Sequence, residues 1–304
     1  MMVRRTTRDR ADRMRIARVF ATSPPGNLPN MLRHALVTGA SSGLGRELVR
    51  QLVLDRGMTV LATARRLDRL ESLAASLPEG RVVVFDGDLA DPEFRARLWE
   101  RADAFPGGLD LLVNNAGLGH YDDFAEQDPE DIRRVIEVNL MALMDLTQRA
   151  VRAMRGRGSG QVVQVSSVLG FVGLPYAAAY VASKHAVNGL VKCLRYELRG
   201  TGVRIWAACP GRTESEFTAV AIGPAVPSSP GPKGEPTAKV VRGIVRGLDR
   251  RGGFLMPTAT ARAVVALAHW LPGPFEWAMG RWSRGVFGRE IRRARPDFSP
   301  PSPP

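Results

Sequence analysis

The sequence predicts a doubly wound α/β domain: a parallel sheet of about seven strands with helices on both faces, followed by a C-terminal helical extension. Three observations carry this. Strand-like and helix-like segments alternate from Leu32 to Met256. The strand-like segments are continuous Val/Leu/Ile runs, as expected of strands covered on both faces. The first of them ends in a glycine-rich turn that opens a helix. Alternation of this kind builds a parallel sheet through helical crossovers.

The elements follow in order. A strand at His34–Gly39 runs into a helix at Gly43–Arg56. A strand at Thr59–Ala64 precedes a helix at Leu67–Ser76, and one at Arg81–Phe85 precedes a helix at Pro92–Phe105. A fourth strand, Leu109–Asn114, leads after a loop to one long helix, Pro129–Arg155. A fifth, Gln161–Ser166, leads to a helix at Tyr176–Arg199, and a sixth, Arg204–Ala208, ends at Pro210-Gly211. Residues 213–235 are rich in Gly, Pro and Ser and read as a long loop of the kind that is functional or disordered. A helix at Thr237–Arg250 and a short strand at Gly253–Met256 complete the alternation. Three regions result: an Arg-rich extension at 1–30, a catalytic domain at 31–257, and an amphipathic extension at 258–304 with a disordered Pro-rich tail. Met31 stands directly before the first strand, and we expect translation to begin there.

The net charge of +13 is concentrated at the ends. Residues 1–30 carry seven Arg against two Asp, and residues 281–304 carry six Arg against two acids, which leaves the body at +4. A nucleic-acid domain places its basic patch on a folded face with stacking aromatics among the charges, so that partner is excluded. The tails read as solvated, with attraction to an anionic membrane surface as the alternative. The two cysteines have no paired or metal-type spacing, and no metal site is expected. No run approaches the roughly 20 apolar residues of a membrane span. The N-terminus lacks a secretory apolar stretch, so a cytoplasmic location is expected.

Three groups of residues carry chemistry. Thr38-Gly39-Ala40-Ser41-Ser42-Gly43-Leu44-Gly45 opens a helix directly after a strand. Without side chains, its backbone N–H groups and the helix N-terminus can contact a pyrophosphate, though such a turn can also be purely structural. The second strand ends in Thr63-Ala64-Arg65-Arg66, with no acid to bond a ribose 2′-OH. Two guanidiniums suit a 2′-phosphate, so NADP(H) is expected over NAD(H), with Arg65 the main contact. Finally, Tyr180 and Lys184 share one helix face four residues apart, and Ser167 ends a strand beside them. An ammonium near a phenol lowers its pKa toward the range useful for acid/base work.

Together these residues resemble the short-chain dehydrogenase/reductase family in its common single-domain form. The likeness spans about Leu32 to Phe217 through ordered motifs: TGASSGLG at 38–45, DGDLADPE at 86–93, NNAG at 114–117, EVNLMA at 137–142, SSVLG at 166–170, YVASK at 180–184 and PGRTES at 210–215. The resemblance implies a Rossmann-like fold and interconversion of a carbonyl and an alcohol with a nicotinamide cofactor. It makes Tyr180 the general acid/base and gives Lys184 a bond to the nicotinamide ribose. Ser167 would orient the carbonyl, and Asn139 would hold a water that links Lys184 to solvent. Asp88 and Leu89 would flank the adenine, and Asn115, Ala116 and Gly117 would run beside the adenine ribose. Pro210, Gly211 and Thr213 would pass the nicotinamide, although Arg212 and Glu214 are unusually charged for that stretch. A homodimer or homotetramer on the helices around 129–155 and 176–200 is also implied.

The substrate-facing stretches offer Leu118, Tyr121, Leu169, Phe171, Val172, Leu174, Tyr176 and Phe217, which suits a bulky apolar carbonyl or alcohol such as a steroid, retinoid or lipid. His120 is a candidate lining residue, whereas His185 is expected to face away. Beyond Arg250, Trp270, Phe275, Trp277, Met279, Trp282 and Phe287 stand among arginines. They are expected to cover the substrate loop or to rest peripherally on a membrane surface. The alternatives are a 3-oxoacyl-carrier reductase and, from another class, a dinucleotide-binding sensor or scaffold without turnover.

Overall fold

A computed structural model describes residues 32–225, 234–249, 253–295 and Asp297. The Arg-rich extension, the Met31 start, part of the Gly/Pro/Ser loop and the Pro-rich tail lie outside the described residues.

Seven parallel strands form one sheet in the order β3-β2-β1-β4-β5-β6-β7. They are β1 (His34–Thr38), β2 (Thr59–Ala64), β3 (Val82–Asp86), β4 (Leu111–Asn114), β5 (Gly160–Val165), β6 (Val203–Ala208) and β7 (Gly253–Leu255). The strand order reverses between β1 and β4, which opens a crevice at the carboxyl ends of those strands. The helices are α1 (Gly43–Leu54), α2 (Leu67–Ala75), α3 (Pro92–Asp103), α4 (Pro129–Ile136), α5 (Ala142–Arg157), α6 (Ala178–Glu197), α7 (Thr237–Gly247), α8 (Ala259–Trp270) and α9 (Pro272–Ala294).

The pleat divides each strand between two cores. Ala35, Val37, Val60, Ala62, Val113 and Val163 face one side, where α1, α2 and α7 pack. Leu36, Leu61, Leu112, Val162 and Ile205 face the other, where α3, α5 and α6 pack. This is why the strands are apolar at every position and not at alternate ones. Each fully buried Leu or Val contributes about 1.5–3 kcal/mol relative to exposure.

Two helices differ from the expectation. The stretch 129–155 is not one α-helix: Glu137–Met141 adopts a π-turn between α4 and α5. The wider turn rotates Asn139 inward, where it is fully buried. The helix expected to begin at Tyr176 begins at Ala178, because Tyr176 has a left-handed backbone (φ 66°) that a right-handed helix cannot include. None of the described helices is long and apolar enough to cross a membrane.

Candidate active site

The carboxyl ends of the strands open into a cleft of about 780 Å³. At one end lies the turn from β1 to α1, with Gly39, Ser41, Ser42, Gly43, Leu44 and Gly45 in its wall. This turn is close because side chains are missing. A Cβ on Gly45 would stand 2.1 Å from the Gly39 carbonyl oxygen, and Gly39 itself is left-handed (φ 68°). The first turn of α1 holds no acid, so its N-terminal N–H groups and positive dipole end remain for an anion. Thr38 ties this turn to β4: its Oγ1 accepts the N–H groups of Asn115 and Ala116, each at 3.0 Å. Asn115 Nδ2 donates back to the Thr38 carbonyl at 2.9 Å. Asn115, Ala116 and Gly117 therefore line the cleft at the point where the strand order reverses.

Charge gathers at the ends of β2 and β3. Arg65, Arg66, Asp88 and Leu89 line the cleft there. Arg65, on which the sequence places most weight, is exposed. Arg66 is half-buried and turned toward the glycine turn, donating to Ser41 Oγ at 3.2 Å. Burial pushes the Asp88 carboxyl up, but the Ala90 N–H and the Arg134 guanidinium overcome this and hold it below its ordinary range. Arg134 donates to Asp88 at 2.5 Å and also reaches the cleft. No local motif marks that arginine, since its partner lies 46 residues away.

Halfway along stand Ser167, Tyr180 and Lys184. Ser167 caps the short 3₁₀ turn Val168–Gly170, its Oγ accepting from the Leu169 N–H at 3.1 Å, and it lines the cleft with Tyr180. The neighbouring Ser166 is committed elsewhere, donating to Asn188 Oδ1 at 2.7 Å. Lys184 Nζ donates to the Val165 carbonyl at 2.9 Å. It lies 5.6 Å from the centre of the Tyr180 ring. Asn139 clamps the loop after β4: its Oδ1 accepts from the Leu118 N–H at 2.7 Å, and its Nδ2 donates to the Leu118 carbonyl at 2.9 Å and to Ser183 Oγ at 3.1 Å.

Burial governs the titration of the pair. It raises the Tyr180 phenol well above 10, with Tyr121 adding to the effect and the Ser167 hydrogen bond opposing it. Burial also lowers Lys184 to about 8. The spacing argument gives the ammonium the task of lowering the phenol. At this separation the loss of water around both groups outweighs that attraction.

The far end of the cleft is apolar. Leu118, Tyr121, Leu169, Val172, Leu174 and Phe217 line it as expected. Phe171 instead meets Phe254 edge-on in the core, and Tyr176 packs against Phe287. His120 is buried away from the cleft, and exposed His185 faces its own helix through the Val181 carbonyl. Pro210, Gly211 and Thr213 line the wall beyond β6. The outer wall comes from the C-terminal extension, through Val264, Met279, Trp282 and Phe287. Phe287 stacks on Tyr121 at 5.6 Å, and Arg295 grips the buried Asp122 carboxylate through two hydrogen bonds of 2.9 Å. The aromatic content of the extension foreshadows this wall. The 173-residue separation of Arg295 from Asp122 hides the anchor.

The comparisons agree with this geometry. A sequence model of the short chain dehydrogenase family matches residues 33–222. An uncharacterized oxidoreductase of Myxococcus xanthus is 42% identical over 190 residues, covering 62% of this chain and 74% of that one. The farnesol dehydrogenase of Aedes aegypti is 35% identical over 192 residues, covering 60% and 78%. Among solved structures, a short-chain dehydrogenase from Sphingobium yanoikuyae in complex with NADPH superposes with a TM-score of 0.70 at 30% identity, covering 82% of this chain and 95% of that one. With its seven-stranded parallel sheet and the family match across most of that sheet, the chain belongs to the short-chain dehydrogenase/reductase family and is an oxidoreductase acting on CH–OH groups.

Proposed function

We propose that this oxidoreductase interconverts a bulky apolar ketone or aldehyde with its alcohol, using NADP(H) in preference to NAD(H). One observation carries the reading: Ser167, Tyr180 and Lys184 line a single cleft together with the glycine turn and a set of apolar side chains. The glycine turn suits a dinucleotide, because the helix it opens has no acid in its first turn and leaves its N-terminal N–H groups to a phosphate. When bound, that cofactor supplies or takes up the hydride. Gly39 to Gly45 would hold its pyrophosphate, Arg65 and Arg66 its 2′-phosphate, Asp88 and Leu89 its adenine, and Asn115 to Gly117 the adjoining ribose. Pro210, Gly211 and Thr213 would flank the nicotinamide.

The chain's own residues handle the proton. Ser167 orients the substrate oxygen. Tyr180, which burial keeps protonated, donates to that oxygen during reduction and takes the proton back during oxidation. Lys184 then returns a proton to the resulting phenolate, and in oxidation takes one from the phenol beforehand; its lowered pKa of about 8 makes that exchange accessible near neutral pH. Asn139 fixes the π-turn beside Lys184, where a water would connect the ammonium to solvent. The NADPH-bound relative supports the choice of cofactor, and the farnesol dehydrogenase supports an apolar substrate.

We read the extension at 258–295 as the wall of the substrate site and its exposed Trp270, Leu271 and Trp277 as a peripheral membrane contact on a cytoplasmic enzyme. Exposed Met141, Met144 and Tyr196 on α5 and α6 and the turn between α4 and α5 support a homodimer or homotetramer built there. The activity test is an NADPH-consumption screen across carbonyl classes with Tyr180→Phe as control. Turnover of apolar ketones that falls at least about a hundredfold in the variant, with cofactor binding intact, is expected. Activity restricted to sugars or small polar ketones refutes the substrate assignment.

A further inference from the structure

Three consecutive residues of the segment after β6 reach the glycine turn, the arginines after β2 and Tyr180. Ser215 sits over the glycine turn, its Cβ 3.1 Å from where a Cβ on Gly43 would stand. Phe217 lies against Tyr180, with ring centres 5.5 Å apart. Between them, the Glu216 carboxylate crosses to the end of β2. It accepts from Arg69 Nη1 at 2.8 and 2.6 Å and from Arg66 Nη1 at 3.3 Å. The other edge of the Arg66 guanidinium faces Ser41 on the glycine turn. A carboxylate thus holds Arg66, one of the two arginines assigned to a cofactor's extra phosphate, together with its neighbour Arg69.

We propose that Glu216 is an internal stand-in for the cofactor's 2′-phosphate: it holds Arg66 and Arg69 when no phosphate is present and must be displaced when one binds. The inference rests on the cofactor reading above and assigns Glu216 the role of setting cofactor preference. The chemistry is competition for one donor set. A phosphate dianion offers more charge and more acceptor oxygens than a carboxylate, so it wins at the guanidinium fork, but against an occupied site. NADH brings no group to that position and leaves the ion pairs in place.

The ion pairs are solvent-exposed, so the effect is modest and salt-dependent. Calorimetric titration of full-length wild type and Glu216→Gln with NADPH, NADH, 2′,5′-ADP and 5′-AMP at low and high salt tests it. At low salt the variant is expected to bind NADPH and 2′,5′-ADP about three- to fivefold more tightly, with NADH and 5′-AMP unchanged and the gain shrinking in high salt. Unchanged or weaker NADPH binding in Glu216→Gln, while wild type still prefers 2′,5′-ADP over 5′-AMP, overturns the stand-in alone. A wild type that binds 2′,5′-ADP no better than 5′-AMP overturns the NADP(H) reading and this proposal with it.

Discussion

At the residue scale, the role proposed for Lys184 is set against stability. Its shift from 10.5 to about 8 measures the reluctance of a buried site to hold an ammonium. At about 1.4 kcal/mol per pKa unit this is of order 3 kcal/mol against the charged form. The sign follows from a lowered folded-state value. The penalty is complete below about 8, and it disappears as pH rises toward the unfolded value of 10.5. Lys184→Met is therefore expected to melt a few degrees higher than wild type at pH 7 while losing turnover, and the difference should shrink between pH 8 and 10. Thermal scans across that range check it; a variant less stable at pH 7 refutes the account. Tyr180, raised by burial, acts in the opposite sense only above its ordinary value near 10. The residues of this centre were legible in the sequence because their chemistry needs fixed types at fixed spacings. Their electrostatics were not, since burial belongs to the whole surrounding fold.

At the element scale, the sheet could be read from sequence because strands covered on both faces leave unbroken apolar runs. The π-turn at 137–141 could not, since EVNLMA is an ordinary helical pattern and the extra residue per turn has no signature of its own. The left-handed Tyr176 is similarly silent, as such a backbone is ordinarily left to glycine. The docking of α9 depends on contacts distant in sequence, and it is open to test. Asp122 is buried, so Arg295→Ala leaves a carboxylate without its partner, a change that costs about 3–5 kcal/mol in buried pairs. That energy should appear as local undocking. Hydrogen exchange is expected to rise along α9 and around Tyr121 but not in the central strands. Steady-state kinetics should show a higher KM for bulky ketones, with kcat on small ones retained. Uniform loss of protection across the sheet would contradict a local anchor.

At the scale of the whole molecule, the charge lies where the catalytic sheet does not. Residues 258–295 carry seven Arg against two Glu, and their two helices, α8 and α9, present Trp270, 77% exposed, and Trp277, 60% exposed. Exposed aromatic rings in an Arg-rich extension suit an anionic lipid surface. Full-length protein is expected to float with vesicles containing phosphatidylserine and to lose this in high salt or in the double variant Trp270→Ser, Trp277→Ser. Absence from the floating fraction at low salt would exclude the contact. The Arg295–Asp122 anchor has a consequence in time as well as in space. During synthesis, every strand of the sheet and the whole Ser–Tyr–Lys centre leave the ribosome before the outer wall of the cleft does. The proposed reaction centre thus emerges first, and the outer wall of the cleft is supplied by helices that follow every strand of the sheet.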